Sequence, residues 1–395
     1  MLTQEENNRL TRVGAGTPMG ELLRRYWHPV GTRVELDEEP VRKVRLLGED
    51  LVLFKNLRGE MGLIGHRCPH RGVSLHYGIP QENGLRCCYH GWAFDTEGRV
   101  VDMPFEPAVL PLKIPAYPVQ ELGGLIWAYL GPQPAPLLPR WDFLIREDLN
   151  KTLQVTPLPC NWLQCMDNSL DPTHFEHLHG HYGNYVMKKM GRPPMLNPRP
   201  HKKIDFDVFE YGIYKRRLVE GASETDTDWT IGHPVLFPNT LAQGGPDQIS
   251  CQIRVPTDDT NTMHYVILGQ RPKVGERLEA MRVGRVPLDY DEYGRVQAPT
   301  IVPQDEAAWV GQGPITDRTT EHLVTSDKGI ILFRKLLLEN IETVQRGDDP
   351  MCVIRDQSIN EPMISLARGS TYTAFHQGVR DEDYGGVRQL VGASR

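Results

Sequence analysis

The chain has 395 residues, 39% of them apolar and 24% charged, the proportions of a globular protein long enough for two domains with cores of their own. A formal net charge of −7 and an isoelectric point near 6.1 give no electrostatic footprint for nucleic acid and are compatible with docking of a protein partner. The first residues, MLTQEENNRL, lack the basic and apolar segments of a signal peptide, and no apolar run approaches the roughly 20 residues of a spanning helix. A cytoplasmic protein with no membrane segment is therefore expected.

In chain order, Thr17-Pro18 reads as an N-cap followed by a proline at the first helical position. With Leu22, Leu23 and Tyr26 on one stripe, it predicts a helix over 18–26 and an N-terminal helical arm over 1–26. The nearby Gly14-Ala15-Gly16 has neither the spacing nor the preceding strand of a dinucleotide loop. From Val30 to Leu130 the segments VRKVRLLG, DLVLFKN, MGLIGHR, LRCCYHGWAFD and LIWAYLG are short, apolar and separated by glycine-bearing turns. They predict a small all-β domain over 27–135. Gly131-Pro132-Gln133-Pro134-Ala135-Pro136 cannot enter a helix interior or a central strand, so it is the expected boundary with a second domain over 136–395. In that domain Asn161–His179 reads as helical with a break at Pro172, residues 204–270 as strands, and 328–346 as an amphipathic helix built on Ile330, Phe333, Leu337, Ile341 and Val344.

Two groups of residues carry the chemistry. The first is Cys68-x-His70 with Cys87-x-x-His90. A Rieske [2Fe–2S] centre needs two thiolates on one iron and two imidazoles on the other, and two loops each offering one Cys and one His supply them. Zinc sites space their ligands C-x2–4-C and H-x3–5-H, which these pairs do not match. Gly72 and Gly91 would let the backbone close round the cluster. Cys88 follows Cys87 directly, so strand alternation puts it on the opposite face, as a small buried hydrophobe. The odd total of seven cysteines argues against a disulfide framework.

The second group is Asp171-x-x-His174-x4-His179, in a segment that also holds His177 and His181. Non-heme Fe(II) oxygenases hold iron with two histidines and one carboxylate, leaving positions for dioxygen and substrate. A spacing of five does not align His174 and His179 on a regular helix, so a local distortion after Pro172 is expected. His177 and His181 are expected to lie behind the ligands or at the surface.

With both motifs in this order the chain resembles the Rieske non-heme iron aromatic ring-hydroxylating oxygenases over nearly its whole length. The stretch IVPQDEAAWVGQGPITDRTTEHLVTSD is most similar to the phthalate 4,5-dioxygenase and vanillate O-demethylase branch. The resemblance implies an α+β fold, with a small all-β Rieske domain followed by a helix-grip catalytic domain in which an antiparallel sheet wraps a long C-terminal helix. It implies that Cys68 and Cys87 hold one cluster iron and His70 and His90 the other. It also implies that His174, His179 and Asp305 hold a mononuclear iron, with Asp317 and Asp327 as alternatives for the third ligand. Asp171 would be the carboxylate that carries electrons from a cluster histidine of a neighbouring subunit.

The resemblance further implies a separate flavin or iron–sulfur reductase fed by NAD(P)H, a homotrimer or dimer of trimers, and use of O2 to hydroxylate, dihydroxylate or O-demethylate a small aromatic, carboxylated or uncarboxylated substrate. Phe175 departs from the hydroxyl residue associated with phthalate itself. Arg192, Arg216, Arg217 and Arg254 are candidate carboxylate partners, each expected at the solvated surface. A Rieske electron carrier would leave the second motif idle, and a reductase in its own right would need a nucleotide loop the sequence lacks.

Overall fold

The computed structural model of the chain describes residues 1–369; the last part of the expected second domain, 370–395, lies outside the described residues. Apolar side chains gather into separate cores. One is formed by Val41, Val52, Phe54, Ile64, Leu75, Leu85, Phe94 and Ile114, with Cys68 and Cys87 packed into it. It belongs to two four-stranded sheets, Val41–Leu46, Glu49–Lys55, Met61–Gly65 and Ala116–Tyr117 in one, and Ile79–Gln81, Gly84–Arg86, Ala93–Phe94 and Val100–Asp102 in the other. This is the expected small all-β body.

The hairpin joining Val41–Leu46 to Glu49–Lys55 turns through Leu47 and Gly48, both at positive φ (49° and 81°). Two left-handed residues make the tight turn whose twist matches paired strands. A leucine there is strained, yet Leu47 is fully buried, and the Leu47 and Gly48 N–H groups donate to the Pro256 and Thr257 carbonyls. The hairpin tip is thus docked onto the second half of the molecule, which compensates the strain.

The larger core takes in a three-stranded sheet (Trp27–Thr32, Leu125–Tyr129, Val119–Leu122) together with an eight-stranded one. From edge to edge the latter runs His201–Phe209, Gly212–Val219, His233–Leu236, Thr240–Gln243, Gln248–Asp258, Asn261–Gln270, Asn150–Leu158 and Arg282–Arg285. All neighbours are antiparallel except the last pair. The expected amphipathic helix forms over Lys328–Gln345 and buries Phe333, Leu337 and Ile341, with the Phe333 ring 6.1 Å from that of Phe237. This is the helix-grip arrangement.

The proline-rich segment is bound to the protein on both sides. Trp27 Nε1 donates to the Pro136 carbonyl and Arg355 to that of Pro134. At the N-terminus, Thr3 and Glu6 form a capping box for a helix over Gln4–Thr11, and Thr17 caps a second over Pro18–Leu23. The second helix is shorter than the predicted 18–26. Its last turns tighten through Arg25 and Tyr26 N–H bonds to Leu22 and Leu23, and Trp27 already belongs to the strand paired with Leu125–Tyr129. No helix among the described residues is long and apolar enough to cross a membrane.

Candidate metal centres

The first centre lies at two loops of matching construction. Gly72 N–H donates to the Cys68 carbonyl (2.9 Å) and Gly91 N–H to that of Cys87 (3.1 Å). Each glycine is at positive φ, 72° and 77°, so each loop closes in a left-handed conformation that glycine adopts without steric cost. Cys68 and Cys87 point inward and are buried. His70 is exposed and His90 half-buried, their rings 4.4 Å apart, and His70 stacks on Trp92 at 4.8 Å. Two sulfurs therefore face two imidazoles across one space, the donor set of a Rieske cluster.

Burial, with the adjacent Cys87, pushes the Cys68 thiol up to about 11, against N–H groups of His70 and Arg71 that favour its thiolate. A buried thiol that resists ionisation on its own is suited to a metal, whose charge removes its proton. Cys88 does not take its expected place. The chain leaves the ladder at Arg86 and turns at once, so strand alternation no longer governs it, and Cys88 is exposed.

The second centre is assembled from distant segments. Trp162–Ser169 is α-helical, Pro172 interrupts, and Phe175–Tyr182 winds as a π-helix. The i→i+5 bonds of that form widen the turn, so the fifth residue returns to nearly the side of the first. This is the distortion the spacing required: the His174 and His179 rings lie 5.2 Å apart. Asp305 comes from the helix Ile301–Gly311, its Oδ1 3.2 Å from His179 Nε2 and 3.6 Å from His174 Nε2. One ligand atom from each of the three lies within 4.8 Å of the others. Burial alone would raise the Asp305 carboxyl; His179, His174 and Arg254 outweigh it and hold it down at about 2. A nearly buried carboxylate with two imidazole nitrogens on one side is the donor set of a 2-His-1-carboxylate iron.

Gln304 and Gly183, which the sequence did not single out, support this triad. Gln304 is fully buried and its Oε1 accepts from His179 Nδ1 (2.9 Å), which leaves Nε2 free to face Asp305. A Cβ at Gly183 would lie 2.9 Å from the Gln304 amide, so a glycine is needed beside it. Asp171 lies with Oδ2 3.6 Å from His174 Nδ1, while its Oδ1 accepts from the Thr173 N–H and hydroxyl. Burial opposes its ionisation, and His174 with Thr173 outweighs that, leaving its carboxyl well below the usual range.

Asp317 and Asp327 cap local turns at Thr319 and Val324 instead. His177 and His181 are exposed, and with Glu176 form an outward-facing group.

Two of the four arginines are not at the surface. Arg254 is fully buried over the Trp309 ring (5.2 Å) and donates to Gln252. Arg217 is buried against Asp228 and lies over Phe175. Both sit on long central strands of the sheet, where inward-facing positions are covered. Arg216 is half-buried, with Asp207, and Arg192 is exposed. The triad lines a cavity of about 30 Å3 with Pro172, Phe175, Lys215, Arg217, Leu241 and Ile301. This volume holds about one water, so an aromatic ring enters only as lining side chains part. Burial and Arg217 bring the Lys215 ammonium down to about 7.

Residues 26–118 match the family model of the Rieske [2Fe-2S] domain, and residues 285–369 match one described as LigXa C-terminal domain like. Over 371 residues the chain is 43% identical to the 5,5'-dehydrodivanillate O-demethylase oxygenase subunit of Sphingobium sp. (strain NBRC 103272 / SYK-6), covering 91% of this chain and 85% of that one. The chain belongs to the Rieske non-heme iron oxygenases. It is also 32% identical to the phthalate 4,5-dioxygenase oxygenase subunit of Pseudomonas putida, over 88% of each chain. The fold is that of the oxygenase in the reduced oxygenase–ferredoxin complex of carbazole 1,9a-dioxygenase (TM-score 0.61, 20% identity, 92% of this chain and 98% of that one). As an oxygenase subunit of this family it is a [2Fe–2S] and mononuclear-iron protein that receives its electrons from separate partners.

Proposed function

We propose that this oxygenase acts on a small aromatic substrate at an iron held by His174, His179 and Asp305, with electrons delivered through a cluster held by Cys68, Cys87, His70 and His90. The convergence of His174, His179 and Asp305 from two segments 126 residues apart (305 − 179) carries the reading. When bound, the cluster supplies single electrons and the iron supplies the site at which O2 is reduced.

The chain's own residues do the rest. Gln304 fixes the His179 tautomer. Asp171 stays ionised beside His174, on the side away from Asp305, where it can accept a hydrogen bond from a cluster histidine. Because His70 is exposed and His90 half-buried, the imidazole edge of the cluster faces outward, as a neighbouring copy's Asp171 would require. Hence we place the active protein in a ring-closing homotrimer or a dimer of trimers, in the cytoplasm, served by a flavin or iron–sulfur reductase that uses NAD(P)H. Similarity to the O-demethylase subunit favours removal of an aryl O-methyl group over hydroxylation or dihydroxylation.

The test is iron quantitation with EPR of the dithionite-reduced protein, followed by turnover of methoxylated aromatic acids with formaldehyde as the readout. Three irons per chain and a rhombic signal of low average g are expected, together with formaldehyde. Two irons, with a third site that reconstitution cannot fill, would overturn the assignment of His174, His179 and Asp305.

A further inference from the structure

The wall of the triad cavity that carries the most charge is the strand Gly212–Val219. Alternate strand residues share a face, and Ile213, Lys215 and Arg217 are all buried. Ile213 belongs to the large core. The Arg217 charge is taken up by Asp228, 3.3 Å from its Nε, and by the Phe175 ring, 4.5 Å away. Lys215 has no such partner. It is 5% exposed and lines the cavity, and its ammonium makes no hydrogen bond or ion pair with any described residue.

Taking an ammonium out of water without a partner is strongly unfavourable. The anions that favour its charge from a distance are Asp171 and Asp305. In the proposed assignment Asp305 is a ligand, so its charge is spent on the metal. Apart from the triad, Lys215 and Arg217, the remaining lining groups carry no charge: an apolar set that includes Phe175, Leu241 and Ile301, and a polar set of Asn168, Ser169, Gln243 and Gln252. A slot with apolar walls, a few neutral polar groups and one ammonium without a paired anion fits a ring that bears an anionic oxygen.

We propose that Lys215 is the anion-recognition residue of the substrate pocket, binding a carboxylate or phenolate oxygen of an aromatic substrate and so fixing which ring atom faces the triad. This rests on the triad being the iron site. Lys215 sits on a strand separate from the π-helix and from the Ile301–Gly311 helix and is outside the ligand triad, so it can act on substrate orientation without holding the metal. An arginine in its place keeps the charge, and a methionine keeps the length without it.

The experiment is calorimetric titration of the iron-loaded enzyme and its Lys215→Met and Lys215→Arg variants. The probes are 3,4-dimethoxybenzoate (carboxylate alone), 2-methoxyphenol (phenol alone) and the neutral methyl ester of 3,4-dimethoxybenzoate. Lys215→Met should weaken the anionic probe about tenfold or more and leave the ester within about twofold, with Lys215→Arg in between. Loss confined to the carboxylate probe identifies a carboxylate, and loss confined to the phenol identifies a phenolate. Equal weakening of acid and ester, no weakening of either, or a wild-type enzyme that binds neither the acid nor the phenol better than the ester would overturn the proposal. Iron content separates the two levels: a chain without the third iron fails the proposed function, whereas three irons with unaltered binding fail Lys215 alone.

Discussion

Each ring nitrogen of His179 has its own neighbour. Nδ1 donates to Gln304 and Nε2 faces Asp305, so the tautomer is set by an amide that is itself tied to the Ala298 carbonyl. Replacing such a partner commonly lowers metal affinity about 10- to 100-fold. Gln304→Leu should therefore lose the mononuclear iron to a chelator that leaves the wild-type centre filled, with the cluster's EPR signal unchanged. Retention equal to wild type would remove Gln304 from that role.

The role proposed for Asp171 is different, because it meets His174 on the nitrogen turned away from Asp305. Asp171→Asn should keep three irons per chain and slow reoxidation of the reduced cluster sharply in stopped-flow. Unchanged turnover at normal iron content would reject the bridge. The histidines were legible in the sequence because their spacing is unusual. Gln304 was not, because a glutamine beside an aspartate carries no pattern of its own. Lys215 was hidden for the same reason, inside the run Lys215-Arg216-Arg217 that reads as solvated charge. Cys88 went wrong because alternation was extended past the residue where the ladder ends.

At the scale of elements, the helix Trp162–Ser169, which leads through Pro172 into the π-helix over Phe175–Tyr182, is itself tied down by buried charge. Asp167 of that helix accepts from Arg318 (2.9 Å) and from Arg334 of Lys328–Gln345 (2.7 Å), and Arg334 also pairs with Glu321. Burial raises the Asp167 carboxyl, and the two guanidinium groups outweigh it, so it is ionised in the folded protein. The helices Trp162–Ser169 and Lys328–Gln345 and the segment that carries Arg318 and Glu321 therefore share one buried charge cluster. Removing the central anion leaves two buried cations facing each other, a change that costs about 3–5 kcal/mol. Asp167→Asn should lower the urea midpoint by an amount of that order while the cluster retains its EPR signal. A loss below about 1 kcal/mol would show that water reaches the arginines. The sequence revealed the two helices by period and stop signals, but nothing in it could pair Asp167 with residues more than 150 positions away (318 − 167 = 151).

At the scale of the whole molecule, the cluster-bearing half and the iron-bearing half meet through the three-stranded sheet. Core residues on both sides of the proline-rich segment belong to one cluster, and the segment's own carbonyls accept from Trp27 and Arg355. At this seam His28 is fully buried. Its Nε2 donates to the Leu23 carbonyl at 2.8 Å and its Nδ1 faces Asn239 of the larger sheet, 3.4 Å away.

Burial brings His28 down from 6.5 to about 4, against the bond to Leu23, which favours the charged form. The unfolded chain takes up this proton below about pH 6.5, whereas the folded one resists it until about pH 4. Between those values the unfolded state holds more protons, so stability falls as pH falls, by up to about 1.4 kcal/mol per unit and about 3 kcal/mol in all. His28→Gln keeps a donor for Leu23 and has nothing to titrate. In urea unfolding at pH 7 and pH 5, the wild type should therefore lose about 2 kcal/mol more than this variant. Parallel losses would mean that the seam opens before His28 is protonated, and that the two halves separate more easily than their shared core implies.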